Sequence, residues 1–163
     1  MNLDKNLFID DYISESREIL DSLDDIAIAA TKEKRNTECL NEILRLLHTL
    51  KGSSRMLEFV QIEKVINHLE TVFKNIQNNQ TEIPNKIIQL LMGVNDTLHK
   101  VIDKIEDGGD GTFAQYETML ENIDLAMEDE DFKTDFSSKQ KSSKKEKVKE
   151  EIVQADKTQE DNA

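Results

Sequence analysis

The sequence has no tryptophan and only one proline, five glycines and one cysteine among its 163 residues. So few glycines and prolines leave little material for the tight turns of a sheet protein, which favours long helices. A single cysteine excludes an intramolecular disulfide framework and favours a reducing compartment. No stretch approaches the roughly 18 apolar residues of a membrane-spanning helix, and the acidic N-terminus is unlike a signal peptide. We therefore expect a soluble, cytoplasmic protein that does not enter a membrane.

Positive charge is also scarce. The formal net charge is -13, and residues 133–163 contain eight lysines against seven acidic residues, so that residues 1–132 carry about -14. Proteins bind duplex nucleic acid largely by neutralising its phosphates. An acidic chain of this kind is therefore not expected to bind nucleic acid, and its charge is expected to keep the domain soluble.

Apolar residues recur at helical spacing in five segments of the sequence. Asp4 is the expected N-cap of the first helix, on whose apolar positions we count Leu7 and Phe8. Pro84 is expected in the first turn of the fourth helix, and Phe113 at the start of the fifth. The predicted helices span about 5–32, 37–57, 62–76, 84–105 and 113–127.

Short connections between these segments favour antiparallel neighbours. The expected fold is all-α, an up-and-down bundle of five helices that forms one domain over residues 1–132. After Phe136 almost no residue could be buried. Residues 133–163 are therefore predicted to form a disordered, charged tail or an interdomain linker.

The stretch "LLHTLKGSSRMLEF" places polar residues and a glycine inside the second helix. His48 is predicted at the border of the core stripe, with Lys51 as its neighbour and Gly52 leaving bare surface beside it. A neutral imidazole is a good nucleophile toward phosphorus, and a nearby ammonium offsets the charge of the resulting phosphoryl group. A helical histidine alone is more often an ordinary boundary residue. The lysine and the glycine favour phosphoryl chemistry and access for a partner protein.

The residues "HTLKGSS" resemble the signature of histidine-containing phosphotransfer (HPt) domains, which runs His, any residue, Leu or Ile, Lys, Gly and two small residues. The five-helix outline, the opening "FIDDYISESREILDSLDD" and the segment "HLE" resemble most the type found at the N-terminus of the chemotaxis histidine kinase CheA, over roughly residues 3–130. The resemblance implies a bundle whose second and third helices carry the site. It also implies a histidine that receives a phosphoryl group and passes it to a response-regulator aspartate.

The resemblance assigns roles to four residues. His48 is the expected phosphoacceptor, Lys51 the charge partner and Gly52 the position that leaves clearance. Glu70, on the third helix, is expected to hydrogen-bond the other ring nitrogen of His48. Such a bond fixes the tautomer of the ring and raises its nucleophilicity.

Two positions depart from the family pattern. CheA-type members carry a histidine one turn before the glutamate, where this sequence has Asn67 with His68 beside it. A one-residue offset turns a side chain by about 100°, so Asn67 is the candidate for a hydrogen bond at the site and His68 is not expected to inherit the role. Glu58 stands where the family has glycine, so the second helix is expected to end differently.

No metal site is expected. Asp96 and His99 have i, i+3 spacing, but the further ligands of a di-iron bundle are missing, and His99 is predicted to be a surface residue. The segment "DGGDGT" lacks the alternating ligands of a calcium loop and is predicted to be a turn. The sequence has no glycine pattern typical of a nucleotide site.

The expected function is that of a phosphocarrier with no ATP site and no cofactor of its own. A histidine-kinase ATP-binding domain would phosphorylate His48, and a response-regulator receiver domain would accept the group, with ATP and magnesium bound by those partner domains. We expect the isolated domain to be monomeric; if it belongs to a longer CheA-like protein, that parent is a histidine kinase. The alternative is a helical adaptor that binds partners without phosphotransfer, in which Gln could replace His48.

Overall fold

A computed structural model describes residues 4–33 and 37–128 of the chain. These residues form five helices, α1 (Lys5–Lys32), α2 (Thr37–Met56), α3 (Val60–Asn79), α4 (Asn85–Glu106) and α5 (Tyr116–Glu128). Within these two ranges there is no strand, which confirms the predicted all-α bundle of five helices. The predicted domain boundary after residue 132 and the predicted tail, 133–163, lie outside the described residues.

The core forms where the apolar stripes of the helices meet. Helix α2 packs against α1 and α3, and α1 also packs against α4. Leu7 and Phe8, which the sequence placed on the apolar face of α1, are instead exposed at its first turn. None of the helices in the described ranges is both long and apolar enough to cross a membrane. Fully buried side chains at helical spacing include Leu20, Leu23, Ile43, Leu47, Leu50, Ile62, Ile66, Leu69, Phe73 and Ile76.

The starts of the helices follow the predictions in part. The carboxylate of Asp4 accepts a hydrogen bond from the backbone N–H of Asn6 at 3.3 Å, as expected of an N-cap. Pro84 is the N-cap of α4 with an extended backbone, so its placement in the first turn was wrong by one residue. Helix α2 begins at Thr37, where the sequence predicts its start.

The loop before α5 explains why that helix starts later than predicted. Asp110 accepts hydrogen bonds from the N–H of Thr112 at 3.0 Å and from its hydroxyl at 2.6 Å, which confirms the predicted turn. The backbone N–H of Phe113 then donates to Oε1 of Gln61 on α3, at 2.9 Å. Phe113 is therefore held outside the helix, which begins at Tyr116.

A left-handed residue ends α2. Glu58 has φ +60°, and the N–H groups of Glu58 and Phe59 donate to the carbonyls of Arg55 at 3.1 Å and Ser54 at 2.9 Å. Helices that end with this hydrogen-bond pattern usually have glycine at the left-handed position, which here is residue 58. The expectation of a different helix end is therefore wrong, because Glu58 adopts the conformation that glycine would adopt. Its carboxylate also lies 2.6 Å from the ammonium of Lys5.

We predict that Glu58→Gly stabilises the fold. A residue with a side chain is about 1–2 kcal/mol less stable than glycine in the left-handed region, so removing the Glu58 side chain should raise the melting temperature by about 3–6 °C. Thermal unfolding followed by circular dichroism measures the change. Glu58→Gln is the matched control, because it removes the ion pair to Lys5 and keeps the strained backbone. Equal melting temperatures for the two variants would refute the prediction.

Packing against α1 and against the α4–α5 loop fixes the turn between α2 and α3. The hydroxyls of Tyr12 and Ser54 are 2.9 Å apart in the interior, and the Tyr12 and Phe59 ring centroids are 5.0 Å apart. Gly111 has φ +81°, and a Cβ added there would lie 2.6 Å from Cδ1 of Phe59. The loop can therefore approach Phe59 only with glycine at this position.

Candidate functional site

His48 stands on the outward side of α2, and its side chain is 72% exposed. The ring is thus more open to solvent than the predicted border position implied. Gly52 lies one turn further along α2, and a Cβ added there would have no neighbour within 4 Å. The surface beside the ring is therefore clear of side chains on the side of Gly52, where another molecule can approach.

Glu70 of α3 lies beneath the ring, and only 3% of its side chain is exposed. Its Oε1 is 3.4 Å from Nδ1 of His48, and its Oε2 is 2.6 Å from the ammonium of Lys51. A second ammonium, that of Lys74, lies 2.9 Å from Oε1. The structure therefore brings His48, Lys51 and Glu70 together. The ammonium of Lys51 forms an ion pair with the Glu70 carboxylate.

The two lysines keep the buried carboxylate ionised. Burial by itself would raise the pKa of Glu70, but hydrogen bonding and charge from Lys51 and Lys74 outweigh it and hold the pKa at about 2. Glu70 is therefore an acceptor at any physiological pH. An ionised acceptor next to Nδ1 favours the tautomer that carries its proton there, which leaves the lone pair on Nε2.

Asn67 and His68, which depart from the family pattern, do not hydrogen-bond the His48 ring within the described residues. Asn67 is exposed one turn before Glu70, and in the described part of the chain it makes no hydrogen bond to His48. Nδ1 of His68 is 2.8 Å from Oδ1 of Asp124, so His68 faces α5. The structure thus leaves both side chains outside the His48–Glu70 contact.

Sequence reasoning did not include Lys74 among the site residues. A signal for it was present, because a glutamate and a lysine at i and i+4 on one helix face each other. The spacing of Glu70 and Lys74 therefore indicates an ion pair on α3. Lys74 and His48 both lie close to Oε1 of Glu70. This arrangement depends on how α2 packs on α3 and is visible only in the structure.

The third histidine belongs to the interface between α1 and α4. Nε2 of His99 lies 3.2 Å from Oδ2 of Asp24 and 3.7 Å from Oδ1 of Asp21. Buried Asn95 donates to Oδ1 of Asp24 at 2.9 Å. His99 is therefore a partly exposed residue that faces α1, less open to solvent than the predicted surface position implied. It pairs with Asp21 and Asp24 of α1, whereas its i, i+3 spacing had suggested Asp96.

The fold and the exposed histidine over a buried glutamate define the class of domain to which the chain belongs. The model of the Hpt domain family matches residues 8–108, and the chain is a member of that family.

Relatives of the chain include chemotaxis proteins and a sensor histidine kinase. It is similar to the chemotaxis protein CheA of Bacillus subtilis (strain 168), with 29% identity over 109 residues, which are 67% of this chain and 16% of that protein. For the chemotaxis protein CheA of Listeria monocytogenes the identity is 27% over 129 residues, 74% of this chain and 21% of the relative. For the sensor histidine kinase CheAY of Helicobacter pylori the identity is 24% over 104 residues, which are 64% of this chain and 13% of the relative. The chain thus spans about a fifth or less of the length of these proteins.

Proposed function

We propose that this chain is a phosphocarrier in chemotaxis signalling, in which His48 accepts a phosphoryl group and delivers it to a response regulator. The observation that carries the proposal is the exposed His48 ring, whose Nδ1 lies 3.4 Å from the buried, ionised Glu70. Family membership and the similarity to CheA proteins support it. We place the exchange in the cytoplasm, where ATP is available, with the chain acting as a monomer.

In the first step, ATP bound with magnesium by a histidine-kinase domain is the donor. The Nε2 lone pair of His48 forms a bond to the γ-phosphorus, the bond to the bridging oxygen breaks, and ADP leaves with that electron pair. The ring keeps its proton on Nδ1, where Glu70 accepts a hydrogen bond from it. Because the phosphorylated ring gains positive charge, this hydrogen bond becomes stronger as the N–P bond forms.

In the second step, a carboxylate oxygen of a receiver-domain aspartate attacks the same phosphorus. The N–P bond breaks, and its electron pair returns to Nε2 of His48. Magnesium on the receiver domain would offset the charge of the transferred group. Lys51 acts mainly through Glu70 in this scheme, because its ammonium lies 2.6 Å from that carboxylate and its side chain is only 20% exposed.

Incubation of the chain with a CheA-type kinase domain and labelled ATP tests the proposal. The expected product carries phosphate that is labile in acid and stable in base, and peptide mapping should place it on His48. Adding a receiver domain should then remove the label. Acid-stable phosphate, or label on another residue, would contradict the assignment.

Gly52 offers a test of docking that is separate from the chemistry. Gly52→Ala should stabilise the isolated domain by about 0.5–1 kcal/mol, because glycine weakens a helix interior and the added Cβ meets open space. Gly52→Gln should keep the fold and slow transfer by about tenfold or more, because its side chain fills the approach to His48. Urea unfolding and transfer rates measure the two effects.

Gly93 provides the matched control for Gly52. It is also an exposed glycine inside a helix, and a Cβ added there would likewise have no neighbour within 4 Å. It lies on α4, which packs against α1. Gly93→Gln should therefore leave the transfer rate unchanged. Equal transfer rates for Gly52→Gln and the wild type would show that clearance at this position is not needed.

A further inference from the structure

Two donors meet at one oxygen of Glu70. The ammonium of Lys74 lies 2.9 Å from Oε1, and Nδ1 of His48 lies 3.4 Å from the same atom. Lys51 contacts the other oxygen, Oε2, at 2.6 Å. An N–H···O hydrogen bond is usually 2.9–3.0 Å long, so Lys74 has the favourable distance and His48 the long one.

We propose that Lys74 is a positioning residue that limits the strength of the hydrogen bond between Glu70 and His48 by competing for Oε1. The inference rests on the proposed function of His48 as phosphoacceptor. An ammonium on Oε1 draws the carboxylate toward itself and weakens this oxygen as an acceptor for the ring. Lys74 therefore controls how firmly Nδ1 keeps its proton, and thereby how available the Nε2 lone pair is.

The two lysines differ in how freely they can leave Glu70. The side chain of Lys51 is 20% exposed and that of Lys74 is 56% exposed. Lys74 can therefore exchange its carboxylate contact for water at little cost, whereas Lys51 is held between the helices. When the phosphorylated ring becomes a stronger donor, Lys74 is the partner that yields Oε1 to it.

Lys74→Met tests the inference, because it removes the ammonium and keeps a chain of similar length. The ¹⁵N chemical shifts of the His48 ring, measured at pH 8.5, give the ratio of the two neutral tautomers. Removing Lys74 should raise the ratio of Nδ1–H to Nε2–H tautomer about twofold to fivefold. The rate of phosphorylation by phosphoramidate should also rise, but by a smaller factor, because the Nδ1–H tautomer is already favoured in the wild type. In this reaction Nε2 attacks phosphorus and ammonia leaves without any partner protein.

Two variants complete the experiment. Lys74→Arg keeps the positive charge at Oε1 and should restore the wild-type tautomer ratio and rate. Lys64→Met removes an exposed lysine elsewhere on α3 and should change neither quantity. If Lys74 only stabilised α3, its loss would lower the stability and leave the tautomer ratio unchanged. An unchanged or lower ratio in Lys74→Met would overturn the inference.

This outcome is distinguishable from failure of the proposed function. The tautomer ratio is measured on the unphosphorylated chain and needs neither kinase nor donor. If the wild type takes no phosphate on His48, the proposed function fails, whatever the ratio. If the wild type is phosphorylated and Lys74→Met matches Lys64→Met in ratio and rate, the role of Lys74 alone fails.

Discussion

Replacing His48 by Gln is expected to reduce phosphorylation by roughly a thousandfold or more, since loss of a nucleophile removes the reacting atom itself. An amide offers no ring nitrogen with a free lone pair. The fold should be unaffected, because 72% of the His48 side chain is exposed and surface substitutions usually change stability by less than about 0.5 kcal/mol. Label incorporated from ATP, together with the circular dichroism spectrum, measures both effects.

The other histidines of the described structure provide the matched controls. His68 pairs with Asp124 and His99 with Asp24, so neither ring contacts Glu70. Both His68→Gln and His99→Gln should accept phosphate at the wild-type rate. If His48→Gln still incorporates label from ATP or keeps its signalling activity, the chain is better described as an adaptor that binds partners without phosphotransfer through this residue.

Acid should weaken the fold through Glu70. Its pKa of about 2 in the folded chain lies below the ordinary value of about 4.3 for an unfolded glutamate. The ionised carboxylate therefore contributes its full stability above about pH 5, and the contribution declines as the pH falls toward 2. A difference of this size corresponds to about 3 kcal/mol. The difference in free energy of unfolding between the wild type and Glu70→Gln should shrink by most of that amount between pH 6 and pH 2.5.

Urea unfolding at several pH values measures this difference, and subtraction cancels the carboxylates that both proteins share. Glu42→Gln is a suitable control. Its carboxylate has a pKa lowered by the hydrogen bond from Arg45, whose Nε lies 2.9 Å away, but the pair is exposed and screened by water. It should show a smaller change. Parallel pH curves for the wild type and Glu70→Gln would mean that the lysines do not lower the pKa as described.

The sequence was sufficient to locate the helices because burial imposes a spacing of 3.6 residues on apolar side chains. It was less informative at helix ends, where contacts with distant residues decide. Phe113 reads as part of a helix until the side chain of Gln61 is seen to bind its N–H. Similarly, Leu7 and Phe8 have apolar character but are exposed at the first turn of α1.

The site could be predicted as far as motif spacing reaches. The resemblance pointed to His48 and Glu70, and the structure places them in contact, while their roles remain predictions. The sequence could not show where the Lys51 side chain points. It points inward to Glu70 because α3 packs against α2 at this position. The left-handed backbone at Glu58 was also hidden, because a glutamate at this position gives no sign of a conformation that usually requires glycine.

The two partners of the site, His48 and Glu70, are 22 residues apart in the sequence and belong to one helical hairpin, α2–α3, closed by the turn at 57–59. The entropy lost in closing a loop increases with its length, so this short separation costs less than a contact between distant helices. The contact between the ring nitrogen and the carboxylate is thus local in sequence and forms within a single helical hairpin. Sequence change in α4, which packs on α1, can therefore accumulate without altering the geometry around the ring.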